Sequence, residues 1–162
     1  MRVARHEGEA FGDDYQLPSA RAYAETCAAL GDIFWNWELT LATGQAQYAD
    51  LTEWQLYNAA SVGMGIEGKS YLYNNPLSCR GGITRRSWYQ VPCCPSNLSR
   101  TWAGLGKYLY SHEGHDLWVH QYVGSGATVD LTTPVRIEVE SELPWVGRVR
   151  IALSPGSPAE FT

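Results

Sequence analysis

The spacing of apolar residues changes character near Gly114 of the 162-residue chain, and that change limits the fold more than any other feature. Before it the spacing is helical. Ala24, Cys27, Ala28, Leu30, Ile33, Phe34, Trp37 and Leu41 mark a broad stripe beginning at about Ala22, with Gly44 as a stop. A second helix is expected from about Tyr48 to Val62, carrying Leu51, Trp54, Leu56 and Tyr57 and ending in Gly63-Met64-Gly65, so that two antiparallel helices follow on a short link. Leu98, Trp102, Leu105 and Leu109 predict a third from about Ser96 to Tyr110. Beyond Gly114 the period drops to two. Asp116 to Val123, Val135 to Glu140 and Val146 to Leu153 alternate as strands do, with turn residues between them. Residues 1 to 21 read as loop, and residues 64 to 94 as a long loop with a brief strand at Ser70-Tyr71-Leu72-Tyr73. The expected class is mainly α followed by β.

Such a set of elements has a closure problem. The first helix is apolar on most of its faces, and three helices cannot cover one another's surfaces. Three or four strands at the end form an open sheet with exposed edges. The chain therefore reads as a piece of a larger helical domain joined to the start of a β-sandwich.

Composition narrows the partners. Seven Trp and ten Tyr in a chain with 18% charged residues suit a carbohydrate site, and they equally suit a large core. A net charge of −5 with no Lys/Arg-rich run argues against nucleic acid or an anionic membrane as partner. No stretch approaches the roughly 18 apolar residues of a membrane span. Met1 to Glu9 contain no apolar region of the secretory type, and a reducing cytoplasm is the favoured setting for a reactive thiol.

Cys93 and Cys94 stand between prolines in Val91-Pro92-Cys93-Cys94-Pro95-Ser96-Asn97. Neighbouring thiols rarely pair, because their Cβ vectors diverge and the ring they close is strained. Pro95 fits the first turn of a helix, which places both sulfurs near a helix N-terminus. That position favours the thiolate, the form that attacks carbon and the form that binds metal. Glu25 and Cys27 offer a carboxylate and a third sulfur, a donor set that zinc accepts. Two residues apart in a regular helix, they point about 200° away from each other. To share a metal, the helix must begin later than its pattern implies or the backbone must be irregular; otherwise Cys27 is a small core residue and Glu25 a solvated one.

The remaining candidates carry less. Glu9, in Gly8-Glu9-Ala10-Phe11-Gly12, is a carboxylate beside an aromatic in a glycine-bracketed loop, surroundings that can fit it for acid chemistry, although most loop carboxylates are simply solvated. His6, His112, His115 and His120 show no metal-binding spacing, and Cys79 has no partner at useful spacing.

Taken in order, Gly8-Glu9-Ala10-Phe11, Asp14-Tyr15-Gln16-Leu17-Pro18, Ala22-Tyr23-Ala24-Glu25-Thr26-Cys27-Ala28, Tyr48-Ala49-Asp50, Leu56-Tyr57-Asn58, Tyr73-Asn74-Asn75-Pro76-Leu77 and Pro92-Cys93-Cys94-Pro95-Ser96-Asn97 resemble glycoside hydrolase family 127, the β-L-arabinofuranosidases. The resemblance covers about residues 5 to 125. It implies a retaining glycosidase acting on L-arabinofuranosides, with Cys93 as nucleophile, Glu9 as acid/base, and Zn2+ held by Glu25, Cys27, Cys93 and Cys94. It also implies that residues 1–112 are the last helices of an (α/α)6 barrel and residues 113–162 the first strands of a β-sandwich. The missing barrel half would then supply the rest of the sugar pocket, and the isolated piece would be weakly active or inactive. The competing expectation is a non-catalytic carbohydrate-binding or structural module stapled by zinc.

Overall fold

The computed structural model describes residues 13–16, 18–20 and 23–160. It divides into two compact units, the first ending at Gly104 and the second starting at Leu105.

The first unit is built on α1 (Thr26–Thr43), α2 (Ala46–Gln55) and α3 (Cys93–Ala103). In α1, Thr26, Ala29, Leu30, Ile33, Asn36, Trp37 and Thr40 are buried, which is one stripe at helical spacing. Trp35 and Leu41 stay exposed, so apolar side chains do occupy more than one face. Gly44 ends the helix at φ 65°, a left-handed conformation that glycine adopts without strain, and its N–H donates to the Thr40 carbonyl at 2.9 Å. After α2 the chain stays helical through a π turn at Leu56–Ala60 and a 3-10 turn at Ser61–Gly63. A side chain at Gly63 has no room: a Cβ there would lie 2.8 Å from Thr26 Cγ2 and 3.1 Å from Leu98 Cδ1. The absent side chain lets the exit of α2 approach the start of α1 and the middle of α3.

Two boundaries differ from the sequence expectation. α1 begins at Thr26, not Ala22, because Glu25 is extended (φ −75°, ψ 138°) and bridges Asn74. α3 begins at Cys93 and ends at Ala103, where Gly104 breaks it; a 3-10 turn at Leu105–Tyr108 follows. Pro95 occupies the first turn, where the N–H it lacks has no helical partner to lose. Cys94, Pro95, Leu98 and Thr101 form the buried stripe of this helix. Full burial of side chains such as Leu30, Ile33 and Leu98 stabilises the unit by about 1.5–3 kcal/mol each.

Between Gly63 and α3 the chain is held by long-range bonds more than by regular structure. The expected strand at residues 70–73 is reduced to single bridges, Tyr71 pairing with Met64 and with Arg86. Tyr89 Oη donates to the Tyr71 carbonyl at 3.0 Å and accepts the Tyr73 N–H at 3.2 Å.

The second unit is antiparallel β. β1 (Tyr110–Glu113) and β2 (Asp116–Val119) form a hairpin turned at Gly114, and β3 (Ser125–Asp130), β4 (Pro134–Ser141) and β5 (Val149–Pro155) form a sheet in that order. β4 is central and shows the alternation read from the sequence: Val135, Ile137 and Val139 are buried, while Arg136, Glu138 and Glu140 face out. Ile137 pairs with Ala127 on one side and Leu153 on the other. β1 and β3 lie outside the expected strands: helical spacing carries the third helix as far as Tyr110, and Ser125-Gly126-Ala127-Thr128 carries little apolar alternation.

Candidate functional site

The late start of α1 is what permits a shared site. Glu25 precedes the helix and Cys27 lies in its first turn, so the two side chains escape the opposed directions of a regular helix. The boundary is pinned by Thr26, whose N–H donates to the Tyr73 carbonyl at 2.9 Å. Its hydroxyl donates to the Leu72 carbonyl at 2.8 Å and accepts Asn75 Nδ2 at 2.9 Å. Asn75 N–H in turn donates to the Ala24 carbonyl at 2.8 Å. Thr26 is fully buried, so each of these bonds is costly to lose.

α3 brings the other two sulfurs from its first two positions, facing the positive end of the helix dipole. The result is a cluster of Glu25, Cys27, Cys93 and Cys94 whose ligand atoms all lie within 4.8 Å of one another. Cys93 Sγ and Cys94 Sγ are 4.0 Å apart, and all four cysteines of the chain are free thiols. Glu25 Oε1 lies 3.6 Å from Cys94 Sγ and 3.8 Å from Cys93 Sγ. A tetrahedral zinc with Zn–S of about 2.3 Å has S···S edges of about 3.8 Å. The donor set and its spacing therefore fit a tetrahedral zinc ion.

Electrostatics point the same way. Burial pushes the Cys27 and Cys94 thiols up, which disfavours two thiolates beside a carboxylate in the bare chain. A cation reverses that balance, because a coordinating thiol deprotonates.

Two neighbours complete the surroundings, and neither was singled out from the sequence. The Tyr73 hydroxyl lies 3.1 Å from Cys93 Sγ, and that contact, followed by burial, raises the tyrosine's own pKa. Asn97 Nδ2 donates to Cys27 Sγ at 3.2 Å. Asn97 had a sequence signal, since it follows Cys93 by four and Cys94 by three on the same helix face. Tyr73, twenty positions from Cys93 in a loop, had only its place in the family motif Tyr73-Asn74-Asn75-Pro76-Leu77, with no spacing that ties it to Cys93.

The remaining sequence candidates fall elsewhere. Glu9 and His6 lie outside the described residues. His112 and His115 flank the β1–β2 turn and are exposed, and Cys79 is exposed. His120 Nε2 sits 2.7 Å from Ser111 Oγ, a contact within the β unit. Among the described residues no helix is long and apolar enough to cross a membrane.

The sequence model of the β-L-arabinofuranosidase catalytic domain of glycoside hydrolase family 127 matches residues 3–107. The chain belongs to this family. A non-reducing-end β-L-arabinofuranosidase of Bifidobacterium longum subsp. longum is 30% identical over 92% of this chain. Among solved structures, a family 127 β-arabinofuranosidase superposes with a TM-score of 0.90 at 39% identity over 95% of the chain. The family 127 β-L-arabinofuranosidase from Geobacillus stearothermophilus T6 superposes with a TM-score of 0.82 at 37% identity over 91% of it. The chain spans about a quarter of these relatives, 24% of the first two and 25% of the third. Helices followed by antiparallel strands in two small sheets match the family 127 structures.

Proposed function

We propose that the protein of which this chain forms part is a retaining glycoside hydrolase that releases β-L-arabinofuranose from arabino-oligosaccharides or glycoproteins, with Cys93 as nucleophile and Glu9 as acid/base. The observation that carries the proposal is the convergence of one carboxylate and three sulfurs within 4.8 Å at the starts of two helices, in a chain of family 127. Zinc bound by Glu25, Cys27, Cys93 and Cys94 would keep Cys93 a thiolate at neutral pH and make it a better leaving group.

In the first step Cys93 Sγ attacks the anomeric carbon, the glycosidic C–O bond breaks, and the Glu9 carboxyl gives its proton to the departing oxygen. In the second, Glu9 as carboxylate takes a proton from water, the water oxygen attacks the same carbon, and the C–S bond breaks to return the thiolate. Two displacements retain the configuration. Tyr73, 3.1 Å from the sulfur, is placed to donate a hydrogen bond to it when it is charged.

The helical part, residues 1–112, is read as the closing helices of an (α/α)6 barrel and residues 113–162 as the opening of a β-sandwich. Trp35, Trp54 and Tyr57 support this, being large apolar side chains left exposed on α1 and on the α2 segment. The helices carrying them would pack against barrel helices from the rest of the protein, which also completes the sugar pocket, so the 162-residue piece alone is expected to turn over slowly or not at all. In the full-length protein, Glu9→Gln should abolish hydrolysis of an aryl β-L-arabinofuranoside while zinc content stays at one equivalent. Full activity in that variant would leave a zinc-stapled structural or carbohydrate-binding module as the better description.

A further inference from the structure

The three sulfurs of the cluster do not have equivalent surroundings. Cys93 faces the Tyr73 hydroxyl at 3.1 Å, and Cys94 faces the Tyr73 carbonyl at 3.8 Å, which can only accept. Cys27 faces the Asn97 amide at 3.2 Å. Which end of that amide faces the sulfur is set by a third residue. Arg100 Nε lies 2.7 Å from Asn97 Oδ1, and an arginine has donors only. The oxygen of Asn97 must therefore turn to Arg100 and the NH2 to Cys27. Arg100 is itself held in place, its guanidinium carbon 4.6 Å from the centre of the Phe34 ring on α1. Cys27 and Phe34 lie two turns apart on α1, and Asn97 and Arg100 one turn apart on α3, so the relay links the two helices along their length.

We propose that Asn97, oriented by Arg100 against Phe34, is a positioning residue that fixes Cys27 as a permanent metal ligand and separates its role from that of Cys93. An amide N–H donated to a thiolate draws charge from the sulfur. It orients the lone pair left for the metal and makes that sulfur a poorer nucleophile. Cys93 faces a hydroxyl in place of a locked amide, and that hydroxyl can turn its proton toward the charged sulfur or away from it as the sulfur bonds to carbon. The inference rests on the zinc reading above and assigns Asn97 no contact with substrate.

The test is made on the zinc-loaded full-length protein, with zinc retention measured by chelator competition and ligand geometry by the sulfur-to-metal charge-transfer spectrum of the Co2+-substituted form. Asn97→Leu, which removes the donor, should weaken zinc about 10- to 100-fold. Asn97→Asp should weaken it more, because a carboxylate then faces the sulfur. Arg100→Met, at an exposed position, should show a smaller loss, with a shifted spectrum, because the amide becomes free to flip. Zinc retention within twofold of the parent in both Asn97→Leu and Arg100→Met, with unchanged spectra, would overturn the proposal. So would tighter binding in Asn97→Asp than in Asn97→Leu. If the parent protein holds no zinc, the underlying reading fails first and takes this one with it. If the parent holds zinc and the variants hold it equally well, only the role of Asn97 is lost.

Discussion

The start of α3 presents two ligands from adjacent residues of a formed first turn, whereas the start of α1 presents two ligands from either side of the point where the helix begins. The α3 start is made by local chemistry. Pro95 and the side chain of Ser96, which donates to the Pro92 carbonyl at 2.7 Å, shape it from within its own turn. The α1 start depends on residues some fifty positions away: Leu72, Tyr73 and Asn75 take up the polar groups of Thr26, and Gly63 leaves the space that Thr26 fills. A self-contained helix start tolerates local change, while one imposed from a distance fails when any of its supports is removed.

The largest expected effect cuts across both starts. A four-ligand zinc site is worth about 10–16 kcal/mol, so one ligand carries about 2.5–4 kcal/mol. At 1.4 kcal/mol per tenfold, either Cys94→Ala or Glu25→Ala in the full-length protein should lower zinc affinity about 100- to 1,000-fold in a chelator titration. A loss confined to one of the two would mean that only one helix start contributes to the metal. Next comes Thr26→Val, which keeps the shape but removes the hydroxyl that joins Leu72 and Asn75. It should cost about 1–3 kcal/mol, read as a lower urea midpoint, because buried partners are left unpaired. The smallest effect belongs to Ser96→Ala on the exposed side of α3, expected within about 0.5 kcal/mol of the parent. Should Ser96→Ala cost as much as Thr26→Val, the contrast between a self-made and an imposed helix start is wrong.

The same contrast explains what the sequence disclosed. Cys93 and Cys94 stood out because their signal is local, a proline-flanked pair at a helix start. Gly44 was equally legible as a helix end, and the alternation of Val135, Ile137 and Val139 announced the central strand of the β unit. Glu25 and Cys27 were legible as donors but not as a pair. Apolar spacing ran back to Ala22, and nothing within the helix shows that Asn74 and Asn75 hold the preceding residues in extended form. The apolar spacing predicts α3 from Ser96, whereas the helix begins three residues earlier at Cys93, with Pro95 inside its first turn as expected. The strand expected at Ser70 to Tyr73 had the right composition, yet its partners are single residues. β3 was missed for the opposite reason, since Gly126 and Thr128 give a weak apolar rhythm to a strand whose pairing is set by β4.

The cluster draws on residues 25 and 93–94, so an ion held there ties together chain segments separated by roughly 70 residues. In the unfolded chain such a tie would close a loop of that length, which by chain statistics removes about 4 kcal/mol of conformational freedom, as a disulfide of the same span would. The nucleophile of the proposed reaction is thus also one end of a clip. Loading the ion would restrain Gly63, Thr26 and the loop that pins them, without any change in the side chains that pack there.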